Sequence, residues 1–194
     1  ASDKLKSNKD FTLAAVTQNG MALAFAFKSL KDDREVVLAA IKQTAGALAY
    51  ASQRLKNDKK IVLATVQQNG RCLLYASERL RNDFDIVLAA VEREGYALDW
   101  ASDRLKDDFD IVLAAVTQTG DALESASDRL KDDFDIVLAA VKQDGVALQY
   151  ASKRLRNDEK IVLAAVKQNS RSALQYASLR LRKDPELIKY ERFY

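Results

Sequence analysis

Few residues in this chain could do covalent chemistry, and most of those recur. The 194 residues include no histidine, so a His-based acid/base pair, triad or metal cluster has no starting point. The one cysteine, Cys72, falls where most copies of the surrounding pattern have Ala. It reads as a small core residue, and it cannot form an internal disulfide. Serines stand in a row at Ser52, Ser77, Ser102, Ser127, Ser152 and Ser178, but a nucleophile would be special to one place. No Gly-rich phosphate loop is present, and no carboxylate spacing suggests a metal site. The expectation is a protein that is not an enzyme and takes no cofactor or metal.

What remains is chemistry of recognition. Aromatic residues recur at Phe25, Tyr50, Tyr75, Trp100, Tyr150 and Tyr176, with Ser125 interrupting the row. Four residues after each from Tyr50 onward, and after Ser125, stands an arginine: Arg54, Arg79, Arg104, Arg129, Arg154 and Arg180. Each pair shares a helix flank. One reading is a stacking groove for bases or a peptide, with Tyr50, Tyr75, Trp100, Tyr150, Arg79 and Arg104 as its centre. The other is structural: the rings fill gaps between repeats, and the guanidiniums reach nearby Asp side chains. Phe84, Phe109 and Phe134 form a second series, either a partner-binding strip or staples onto the neighbouring repeat.

Charge is unevenly placed. The net charge is only +3, but residues 83–132 carry 13 acidic and 5 basic side chains between two basic flanks. The functional reading is a Lys- or Arg-rich peptide held near Asp99, Asp103, Asp121, Glu124 and Asp128. The bland reading is a solvated face whose charge drifts as repeats duplicate. Either way, an acidic centre would repel a continuous phosphate backbone, so nucleic acid is a disfavoured partner.

These residues are positioned by a 25-residue repeat. Asp33, Asp58, Asp83, Asp108, Asp133 and Asp158 lie 25 apart, and Asn8 holds the same place in the first repeat. Each is expected to cap a helix through IVLAAV, and Asp184-Pro185-Glu186 supports that placement. Two alanines inside IVLAAV and the cap before it argue against a strand. The helix is expected to stop at Gly20, Gly70, Gly95, Gly120 or Gly145 in the left-handed conformation that glycine tolerates. Ala45-Gly46 departs from this pattern, as does Ser170 beside a one-residue insertion. A second helix, G-x-A-L-x-Y-A-S-x-R-L-K, follows, with Leu98, Ala101 and Leu105 on one face. Connections of about two or three residues make consecutive helices antiparallel neighbours.

The predicted fold is all-α: an α-solenoid of seven two-helix repeats forming a single domain over residues 1–194. A half repeat occupies 1–7, seven repeats 8–183 and a terminal helix 184–194. With 48% apolar and 30% charged residues, packed and soluble repeats are expected, in which no one repeat stands alone. The start, ASDKLKSN, matches residues 76–83, which suggests a window cut from a longer array. No apolar run approaches ~20 residues, so no membrane span is expected.

The string D-x-x-I-V-L-A-A-V-x-Q-x-G-x-A-L-x-Y-A-S-x-R-L-x-x-D, complete at Asp133–Asp158, resembles the repeat of the domain of unknown function 4116 family. The resemblance covers essentially the whole chain. It implies an all-helical repeat and a module of a larger secreted effector of the Legionella type, acting in the host-cell cytosol. It carries over no functional residues, because the family has no assigned activity. The expected function is a non-enzymatic scaffold for a protein or peptide, cytoplasmic, monomeric or weakly associated end to end. The alternatives are single-stranded nucleic-acid binding by the Tyr/Arg ladder and a purely structural spacer.

Overall fold

The computed structural model describes residues 8–192. The expected half repeat at 1–7 and the last two residues of the terminal helix lie outside the described residues. The chain divides into two compact units, 1–93 and 94–194. Within each, the fold is all-α and built of tandem repeats stacked as in an α-solenoid, with no strand among the described residues. No helix among them is long and apolar enough to cross a membrane.

The first unit contains helices α1 (Lys9–Gln18), α2 (Arg34–Gln43), α3 (Lys59–Gln68) and α4 (Phe84–Arg93). The second contains α5 (Phe109–Gln118), α6 (Phe134–Gln143) and α7 (Glu159–Gln168). The Asp caps form as expected. Asp58 Oδ1 accepts from the Lys60 and Ile61 amides at 3.0 and 3.1 Å, and Asp158 does the same for Lys160 and Ile161 at 2.9 and 3.1 Å. Asp184 caps a short helix with Pro185 at its first position. The face of each long helix turned inward is wholly buried: Ile111, Val112, Ala115 and Val116 in α5, and their equivalents elsewhere.

Two expectations fail locally. The second helix is not continuous. A six-residue 3-10 segment (Ala45–Tyr50, Gly120–Ser125, Gly145–Tyr150) is followed by two extended residues and then one α-helical turn (Gln53–Lys56, Asp128–Lys131). The break falls at Ala-Ser because the serine amide is claimed by the repeat before. Ser52 N–H donates to Lys31 O at 2.9 Å, and Ser152 N–H to Lys131 O at 2.9 Å. The serine hydroxyl then caps the turn that follows, accepting from Leu55 N at 3.3 Å and from Leu155 N at 3.2 Å.

Nor are the glycines left-handed stops, since none has positive φ. The long helix ends on an extended residue, Asn69 at φ −149° or Thr119 at φ −149°. Glycine follows because the next repeat's backbone passes against it. A Cβ on Gly120 would lie 2.6 Å from Ala140 O, and Gly20, Gly95 and Gly145 face Ala40 O, Ala115 O and Ala165 O more tightly still. The partner is always 20 residues on. In the second repeat, Ala45 occupies this place and Gly46 faces open space. By the same register Ala45 faces Thr65, the one long-helix residue of its kind that is not alanine. Accordingly, α2 and α3 pack less closely than α1 with α2 or α3 with α4.

Candidate binding surface

The arginine row belongs to a clasp between repeats. Asp132, at the end of one repeat, accepts from the hydroxyl of Ser152 and from Arg154 Nε at 3.0 Å. Asp32 receives Ser52 and Arg54 in the same way, and Asp107 receives Ser127 and Arg129. Where Asn57 replaces the acid, Ser77 Oγ and Arg79 Nε donate to its amide Oδ1 at 2.7 and 2.8 Å, and Arg79 also reaches Asn57 O at 2.8 Å. The hydroxyl first, and then the guanidinium, hold the Asp32, Asp107 and Asp132 carboxyls below the usual carboxylate range. Arg104 is exposed. Of the aromatic row, Phe25 and Tyr50 are exposed, while Tyr75, Trp100, Tyr150 and Tyr176 are half-buried.

A second row, which sequence reasoning missed, joins first helical positions to the following repeat. The Lys9 ammonium lies 2.8 Å from both Asp33 and Glu35. Lys59 lies 3.0 Å from Asp83 and 2.8 Å from Asp85, and Arg34 pairs with Asp58. The acids raise both lysine pKa values. The signal was in the chain as a cation 24 residues before each acid. Phe109 and Phe134 hold this position in the second compact unit, with Phe109 39% exposed.

The five acidic residues singled out by charge all lie in the second unit, on its 3-10 segments and short turns. Asp99, Asp103, Glu124 and Asp128 are exposed, and Asp121 is half-buried. The structure brings some of them together. Ser125, which interrupts the aromatic row, donates its hydroxyl to Asp99. Asp121, Glu124, Asp144 and Tyr150 form one cluster. Burial first, then the charges of Asp144 and Glu124, push the Asp121 carboxyl up. Its Oδ1 is shielded from solvent and has no hydrogen-bond partner. The Tyr150 hydroxyl bonds to Glu124; burial, followed by the charges of Asp121 and Glu124, pushes it up to about 12. Asp103 and Asp128 sit apart, each in the first turn of its own short helix, and neither has an ion pair among the described residues. Cys72 is buried, as a small core residue should be. No group of acids and cysteine among the described residues could hold a metal ion.

Fold and surface together define a helical-repeat protein whose recurring polar residues join one repeat to the next. The family model for Domain of unknown function (DUF4116) matches residues 1–31, 33–81, 61–106, 83–131 and 133–182, and the chain belongs to that family. The matches beginning at 33, 83 and 133 start on a cap Asp and span two 25-residue repeats each. No curated protein and no solved structure matches the chain.

Proposed function

We propose that this repeat array is a non-enzymatic scaffold that holds a lysine- or arginine-rich segment of a protein partner on the acidic surface of Asp99, Asp103, Asp121, Glu124 and Asp128. The observation that carries the reading is Asp121. A carboxylate oxygen withdrawn from water with no donor is costly, and two like charges beside it add to that cost. A guanidinium or ammonium would supply the missing donors and offset the repulsion, a gain available only on binding. The clasp carboxylates Asp32, Asp107 and Asp132, by contrast, already have Ser and Arg side-chain partners. The Tyr/Arg ladder has less support as a base-stacking row, because Arg54, Arg79, Arg129 and Arg154 are committed to the preceding repeat.

The test is calorimetric titration of a lysine-rich dodecapeptide into the wild-type chain and into a variant with D99K, D103K, D121K and E124K. The wild type is expected to bind with an affinity that falls as salt rises, and the variant to lose binding. Equal binding by the two proteins would remove the proposed site.

A further inference from the structure

The chain carries an internal template for a second cation site. Residues 83–86, 108–111 and 133–136 are the same tetrapeptide, Asp-Phe-Asp-Ile, opening α4, α5 and α6 in turn. At the first copy an ammonium is present: Lys59, from the repeat before, lies 3.0 Å from Asp83 and 2.8 Å from Asp85. Lys9 treats Asp33 and Glu35 alike at 2.8 Å. At the third copy, 133–136, the residue in the register of Lys59 is Phe109. Asp133 still caps α6 through Oδ1, accepting from Asp135 N and Ile136 N at 3.0 and 3.1 Å. Neither carboxylate has an ion pair among the described residues, and Asp135 is exposed. Arg154, of the following repeat, is bound to Asp132.

We infer that Asp133, Asp135 and Phe109 form a receptor for one lysine side chain of a protein partner, which takes the place that Lys59 fills within the chain two repeats earlier. The acids supply the two oxygens that an ammonium meets at the first copy. Phe109 is 39% exposed at the register position of Lys59, and an aromatic face attracts a cation. Lysine suits the site better than arginine because the template shows a single nitrogen shared between two carboxylates, a point-charge geometry rather than a planar fork. This receptor lies at the capped ends of the long helices and is separate from the Asp121 cluster on the 3-10 segments.

The experiment is an amide NMR titration of the full chain with a hexalysine peptide, repeated on F109K and on D135N. F109K supplies in cis the ammonium that Lys59 supplies at the first copy, so it is expected to fold and to occupy the site itself. The wild type should show saturable shifts at the Asp133 and Asp135 amides. F109K should lose them, and D135N should weaken them roughly fivefold, the worth of about one ion pair. Shifts at Asp135 that persist unchanged in F109K would overturn the assignment, as would shifts confined to Asp121, Glu124 and Tyr150, an outcome that leaves the first surface intact. Loss of the Asp121 shifts alone would do the reverse.

Discussion

At the scale of single residues, the serine after each alanine break does the most. Its amide bonds to the preceding repeat, its hydroxyl oxygen caps the following turn, and its hydroxyl proton goes to an Asp or Asn. Removing the hydroxyl by S152A is expected to cost about 1–2 kcal/mol, as for a lost cap, read as a lower midpoint in urea. R154A should cost less, about 0–1 kcal/mol, because its ion pair is exposed. The clasp carboxyls titrate lower in the folded chain than in the unfolded one. Their contribution is therefore complete above the ordinary carboxylate value of about 3.9 and is lost as pH falls through the lowered folded values. Asp121 has the opposite sign. Its raised folded pKa means that stability is lost as pH rises through that value, so the ionised group weighs against folding at neutral pH. D121V, which copies Val146 of the next repeat, should raise the thermal midpoint at pH 7, by about 1 kcal/mol of stability. A lower midpoint would mean that the carboxylate is satisfied after all.

At the scale of elements, the glycine after each long helix sets how closely repeats approach. G120A should destabilise by about 1–3 kcal/mol, the usual cost of overpacking, because the new Cβ meets the Ala140 carbonyl. The Ala45/Thr65 junction is the natural counterpart, with both partners enlarged. T65A alone should lose stability, since Thr65 is fully buried with its hydroxyl on Ile61 O at 2.8 Å. Adding A45G should recover it by letting the repeats close, a non-additive cycle measured by denaturant unfolding. These elements also divide what was legible from what was not. The Asp caps were readable because a cap acts on its own helix two and three residues on. Gly120 was misread as a left-handed stop because its constraint comes from a backbone 20 residues away, although the joint departure of Ala45 and Thr65 at that spacing carried the signal. The break at Ala51-Ser52 was hidden for the same reason. Leu98, Ala101 and Leu105 keep helical spacing, and only the neighbouring repeat's carbonyl makes an extended serine preferable. Of the candidate surface, the exposed acids were legible from charge alone. The Asp121–Glu124–Asp144–Tyr150 grouping was not, because it joins neighbouring repeats.

At the scale of the whole molecule, the letters that repeat are mostly structural, and the letters that vary are those left to meet a ligand. Lys9, Arg34 and Lys59 in the first compact unit are spent on the acids of the next repeat. In the second unit Phe109 and Phe134 replace such cations, and acids accumulate on the 3-10 segments without matching bases. A surface of this kind should select by charge and respond to ionic strength. Trp100, the only tryptophan, lies between Asp99 and Asp103 in sequence and is half-buried, so it reports on this surface directly. Titrating the chain with a lysine-rich dodecapeptide at low salt should give a saturable change in Trp100 fluorescence that weakens as salt is added. A glutamate-rich peptide of the same length should give none. No response to the basic peptide, or an equal response to both, would contradict the assignment of this surface to a basic partner.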